Sequence, residues 1–322
     1  MNRRPSGGMP TMNYAVIVSA IILSVFFDLN PVQSGAGAAA AEAIQPLITT
    51  SELVVGMNRF AFGLLKDHKL LEGANVTLRL YAMDGSEATL TAELNVPYQV
   101  ISNFKQQASL HRHPDGTEHV HLNESAIGGL YVARLSFSRA GDWGIELLVS
   151  QANAAVEPVR FAVTVQETSP TPALGSRAPR SHNLVARDVK NLREIDTSQK
   201  PDPRLHQVRI VEAIAQGKPQ LIVFATPQFC TSRMCGPVVE IVQGLLPAYG
   251  KRVAFIHQEI WQDFASKKAF PTVDEWRLST EPWIFIVDGQ GIIRSKFEGL
   301  VTVSELKEAL EQVLEVKASR PQ

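Results

Sequence analysis

Cysteine occurs at positions 230 and 235 of the 322-residue chain and nowhere else. Two cysteines this close form a local pair, not a disulfide framework spread over a fold. On a regular helix, residues five apart are separated by a rise of ~7.5 Å, more than the ~5.5 Å Cα separation a disulfide bridges. Cys230 is therefore expected in a loop folded back over the start of a helix, with Cys235 just before that helix and Pro237 as its first residue, where a missing N–H costs nothing. The positive helix end, together with Arg233 between the cysteines, favours thiolate over thiol, and thiolate is the attacking species. A static staple is the other use for such a pair, but so short a loop gains little from closure. Thiol–disulfide exchange is the better reading.

Histidine supplies a second cluster. Four of the eight histidines, His111, His113, His119 and His121, lie within residues 110–122 around a turn at 114–117. Period-two alternation puts each H-x-H pair on one face of its strand, and a matching register would bring all four imidazoles together. Such a cluster binds zinc, copper or nickel. The competing reading is a polar, solvent-facing hairpin decorated by these histidines and Glu118.

The elements that must position these groups fall into two series. Over residues 44–167, short alternating apolar runs at 59–64, 75–81, 130–136, 143–149 and 161–165 are broken by Asp84-Gly85, Asp115-Gly116 and Ala140-Gly141-Asp142. This pattern predicts an all-β, immunoglobulin-like antiparallel sandwich. A Pro-rich linker follows at 168–173. From 174 to 317 strand and helix alternate: helices at 208–215, 237–249 and 303–316, and buried strands at 219–225, 252–258, 283–287 and 292–297. An α/β domain with a mixed sheet covered on both faces is expected. Asp288-Gly289-Gln290-Gly291 should join its last two strands as an antiparallel hairpin.

Ahead of both stand Arg3 and Arg4, an apolar run at 14–27, and small residues ending in Ala39-Ala40-Ala41. That order is a secretory signal over 1–41. The run is shorter than the ~20 residues of a spanning helix, so cleavage is favoured over a membrane anchor. An extracytoplasmic location, periplasmic or secreted, follows, with attachment to the inner membrane as its variant. The formal net charge of -1 offers no basic surface for nucleic acid.

Residues 174–316 resemble the thioredoxin-like superfamily. The shared features are the strand-loop-Cys-helix order, Glu281-Pro282-Trp283 before a buried strand, and the Asp288 hairpin. Leu174-Gly175-Ser176-Arg177-Ala178-Pro179 is similar to the G-x-x-A-P entry of its TlpA-like, redoxin-type members. The resemblance implies that one cysteine is the nucleophile and the other its resolving partner, and that Pro282 is the cis-proline beside the active site. It implies protein thiols and disulfides as partners, with no cofactor required. The family's usual C-x-x-C is lengthened here to four intervening residues, which leaves open which cysteine attacks. Peroxidase chemistry is disfavoured, because Thr226 lies four residues before Cys230 where peroxiredoxins place a threonine three before. The β domain is similar to small YtkA- or FixH-type modules, some associated with copper. The cysteines with His257 also resemble the Cys-Cys-His set of Sco-like copper proteins, which makes a copper-handling binding protein the second expectation.

Overall fold

The computed structural model describes residues 44–66, 69–101, 109–112, 118–121, 128–151, 154–155 and 158–318. The predicted signal segment lies outside them. The first twelve strands are β1 (Gln45–Ile48), β2 (Gly56–Lys66), β3 (Lys69–Leu70), β4 (Asn75–Asp84), β5 (Glu87–Val96), β6 (Tyr98–Val100), β7 (Ser109–Arg112), β8 (Glu118–His121), β9 (Gly129–Phe137), β10 (Gly141–Gln151), β11 (Ala154–Ala155) and β12 (Val159–Val165). They form two antiparallel five-stranded sheets and the small β7–β8 hairpin. One large sheet has the order β1-β2-β9-β6 with β3 on β2, and the other β11-β10-β4-β5 with β12 on β10. The five apolar runs read as strands at 59–64, 75–81, 130–136, 143–149 and 161–165 each lie inside one of these elements. The exposed, polar β5 was not legible, because its alternation carries too little apolar contrast.

Period two explains what the central strands bury. Phe60, Phe62 and Leu64 of β2, with Tyr131, Ala133 and Leu135 of β9, join Leu78, Trp143 and Leu147 in one core. The intervening Ala61, Leu130 and Val132 face the other way and belong to a second core, whose other members come from residues 205–313 and Ile101. This first sheet is thus buried on both faces, which is why 59–64 is apolar at nearly every position.

Beyond residue 170 lie α1 (Ile210–Ala215), β13 (Gln220–Phe224), α2 (Cys235–Tyr249), β14 (Ala254–Gln258), β15 (Trp261–Asp263), β16 (Lys268–Ala269), α3 (Pro271–Glu275), β17 (Trp283–Val287), β18 (Ile293–Glu298) and α4 (Val303–Ala318). A four-stranded sheet runs β14-β13-β17-β18, with β13 parallel to β14 and antiparallel to β17. Leu221 and Val223 of β13 pack with α2 and α4, while Ile222 and Phe224 pack with α1 and Trp276, so both faces are covered as expected. The β17–β18 hairpin forms where predicted. Gly291 adopts φ 77 in its turn, a conformation open to glycine, and the Asp288 carboxylate accepts the N–H groups of Gln290 and Ile292.

The Pro-rich stretch is fastened down. Ser169 and Thr171 hydrogen-bond Glu52, and Lys296 donates to all three. Residues Glu42–Gln322 form one compact unit, so the second core is shared between the two strand-rich halves. No helix among the described residues is long and apolar enough to cross a membrane.

Candidate redox site

After β13 the chain makes two tight turns, with Phe229 N–H bonded to the Thr226 carbonyl and Arg233 N–H to that of Cys230. Arg233 takes the left-handed conformation, φ 58, which a non-glycine residue adopts only when its surroundings require it. This reversal lays Cys230 over the start of α2. The helix begins at Cys235, two residues earlier than the sequence suggested. Pro237 is its third residue, still among the first four N–H positions that have no intrahelical acceptor.

The two sulfurs and a carboxylate oxygen of Glu281 all lie within 4.8 Å of one another. Both cysteines are free thiols, Cys230 half-buried and Cys235 buried. Their environments drive their pKa values apart. Cys230 is lowered to about 5, chiefly by the hydrogen bond from the Cys235 thiol; burial opposes this, and the Ser232 hydroxyl and the N–H groups of Cys235 and Met234 add to it. Ser232 Oγ sits 3.1 Å from the sulfur. Cys235 is pushed up by burial, by its bond to Cys230 and by the charges of Glu281 and Cys230. One negative charge is therefore shared, and it resides on Cys230. The Arg233 guanidinium, expected to favour the thiolate, is not among the leading contributors; what Arg233 supplies is the backbone reversal.

Glu281 was not singled out in the sequence as functional. Its Oε2 accepts the Thr226 N–H at 2.9 Å and the Cys235 thiol at 3.4 Å, and burial, with the Cys230 charge, raises it to about 7. The signal was its position directly before Pro282. The Glu281–Pro282 peptide is cis, and Trp283, the next residue, pairs with Phe224 at the end of β13, which sets Glu281 and Pro282 beside the cysteine loop. A wall of aromatic rings flanks that loop. Phe229 stacks on Phe264 at 4.4 Å, Trp261 meets Phe264 edge-on, and Lys267 Nζ lies 3.5 Å from the centre of the Phe264 ring. Phe229, Trp261, Phe264, Arg193 and Thr197 line a cleft of about 420 Å³.

His257 is 1% exposed, and its Nε2 donates to the Ala225 carbonyl at 3.0 Å. Its Nδ1 lies 3.6 Å from Asp196, whose other oxygen accepts from His206 Nε2 at 3.0 Å. Burial would raise Asp196, but His206, His257 and Ser198 hold it far below the usual carboxylate range. Burial lowers His206 and opposes a rise at His257 that Asp196 imposes. Among the described residues, His257 groups with Asp196 and His206, and the cysteines group with Glu281; the Cys-Cys-His set is not gathered. In the β7–β8 hairpin the register places His111 opposite His119, and Ser109 opposite His121. His113 lies outside the described residues.

No family model matches the chain, and no curated protein matches it.

Proposed function

We propose that the protein is an extracytoplasmic thiol–disulfide exchange protein, a thioredoxin-like α/β fold packed on an immunoglobulin-like sandwich. The observation that carries this reading is the opposed tuning of two adjacent thiols, one accessible and acidic, the other buried and set against a carboxylate. Structural cysteines have no need of that asymmetry, whereas exchange chemistry depends on it. The export-type N-terminal sequence supports a compartment where disulfides persist.

The Cys230 thiolate attacks one sulfur of a substrate disulfide. A Cys230–substrate S–S bond forms, the substrate S–S bond breaks, and the departing thiolate takes a proton from solvent. With its charge gone, Cys230 no longer holds up the pKa values of Cys235 and Glu281. The Glu281 carboxylate takes the Cys235 proton, Cys235 attacks Cys230, and the second substrate thiolate leaves. Two electrons pass to the substrate and the cysteine pair is left as a disulfide, which a partner dithiol returns to the reduced state; the same steps reversed oxidise a substrate.

Cys235→Ser should accumulate mixed disulfides through Cys230, seen as reductant-sensitive adducts on non-reducing gels and mapped by mass spectrometry. Cys230→Ser should give none, because the buried Cys235 is held as a thiol. Adducts mapping to Cys235, or no adducts in either variant, would refute the assignment.

A further inference from the structure

Asp196, His206 and His257 belong to no step of this exchange reaction, yet they form the most enclosed polar cluster among the described residues. They are 0%, 1% and 1% exposed, and one ligand-capable atom from each lies within 4.8 Å of the other two. Buried polar atoms normally find partners. Here the Nδ1 atoms of both histidines have none, nor does Oε2 of Glu259, itself 2% exposed and electrostatically coupled to both imidazoles. Of these atoms, His257 Nδ1 faces the Asp196 carboxylate at 3.6 Å, where a bound cation would satisfy it.

We propose that Asp196, His206 and His257 form a closed, structural zinc-class site, with Glu259 as the carboxylate that completes its charge. Tetrahedral zinc with bonds of about 2.0–2.1 Å separates neighbouring ligand atoms by roughly 3.3 Å; His206 Nε2 lies 3.0 Å from Asp196 Oδ2 and His257 Nδ1 3.6 Å from Asp196 Oδ1, so the carboxylate faces both imidazoles at near-ligand spacing, with Nε2 the ligand atom of His206. His257 offers Nδ1 while Nε2–H is anchored on the Ala225 carbonyl, the outer hydrogen bond that orients a metal-bound imidazole. Asp196 is likewise oriented by the Ser198 and Asp202 N–H groups. Two carboxylates and two neutral imidazoles balance a dication in a site with no solvent to screen it. The metal would pin residues 196–206 to β14. That segment also holds the cysteine loop: Thr197 accepts the Gln228 N–H and donates its own N–H to Glu259.

The test uses the full chain with Cys230 and Cys235 replaced by Ser and His111, His113, His119 and His121 by Gln, which removes the competing donors. Expressed with zinc in the medium and dialysed against a chelator, it should retain about one zinc per chain by elemental mass spectrometry. Growth on cobalt should give visible ligand-field bands without thiolate charge transfer. His257→Ala and the milder His206→Gln should each retain less than a tenth as much metal. Unfolding and refolding with chelator should lower the melting temperature of the parent and leave that of His206→Gln unchanged. A parent that is metal-free and melts identically with and without chelator overturns the proposal, as does metal retained in both histidine variants. Because the parent's own metal content and cobalt spectrum are read first, a variant that fails to fold cannot decide the outcome.

Discussion

In the proposed exchange reaction the carboxylate at position 281, 3.4 Å from the Cys235 sulfur, is the base for the buried thiol. Cys235 is raised out of the physiological range, so without a base its attack on the mixed disulfide must wait for rare spontaneous ionisation. Glu281→Gln keeps the shape and an oxygen for the Thr226 N–H, and removes the base. A positioned base is worth 10²–10⁴-fold, so resolution of the mixed disulfide should slow by about 10²-fold, while alkylation of Cys230 keeps its midpoint near pH 5. In the wild type, resolution should rise with pH to a plateau at or below pH 7, since losing the Cys230 charge eases Glu281 ionisation; in the variant that rise should vanish. Stability supplies an independent check with a definite sign. A carboxylic acid whose folded pKa is raised from 4.5 to about 7 favours the protonated fold, so it costs stability as pH climbs from 4.5 to 7. Glu281→Gln should match the wild type below pH 4.5 and exceed it above 7, by chemical denaturation of the reduced proteins. An unchanged resolution rate would remove Glu281 from the mechanism.

At the level of elements, the α/β strands and helices were legible because buried runs such as 283–287 and the amphipathic 303–316 carry their periodicity openly. Likewise the cysteines were marked by type and spacing, and Pro282 by the family resemblance that its segment carries. What escaped was set by tertiary contact. The start of α2 depends on the Arg233 reversal, and nothing about an arginine announces φ 58. The β15–β16 hairpin is too short to show a period, yet it carries Phe264 against Phe229, next to Cys230. The grouping of His257 with Asp196 and His206 escaped because those two come from a segment without regular periodicity. The Phe229–Phe264 stack predicts a measurable role for that hairpin. Phe264→Ala removes a stacking interaction worth about 0.5–1.5 kcal/mol plus part of the area buried by a half-exposed ring, so a loss of about 1–2 kcal/mol is expected in urea unfolding. Iodoacetamide should also alkylate Cys230 faster, because the loop loses its outer support. An unaltered alkylation rate would mean that the loop is held by its own turns alone.

The whole molecule is joined through ion pairs that the two sequence patterns, each sufficient for its own half, did not foreshadow. Arg59 of β2 forms a bidentate pair with Glu305 of α4, and also donates to the Leu300 carbonyl. The two side chains are only 8% and 10% exposed. Glu305 also caps its helix, accepting the Thr302 N–H while its own N–H bonds the Thr302 hydroxyl, a capping box. Burial would raise Glu305, but the Arg59 hydrogen bond and charge outweigh it and lower it. Deleting Arg59 leaves that carboxylate buried without its counter-charge, a loss of about 3–5 kcal/mol in comparable pairs. Arg59→Ala should therefore destabilise the protein by about 3 kcal/mol at pH 7. A carboxylate lowered in the fold contributes stability that is present above its ordinary value of 4.5 and disappears as pH falls through the folded value, so the gap between wild type and variant should narrow in acid. Since Ala61, Leu130 and Val132 lie in the same core as α2 and α4, the sheet and the cysteine-bearing half should still unfold in one transition. Two separated transitions in the calorimetric melt of Arg59→Ala would show instead that the halves are independent and that the pair, not the shared core, holds them together.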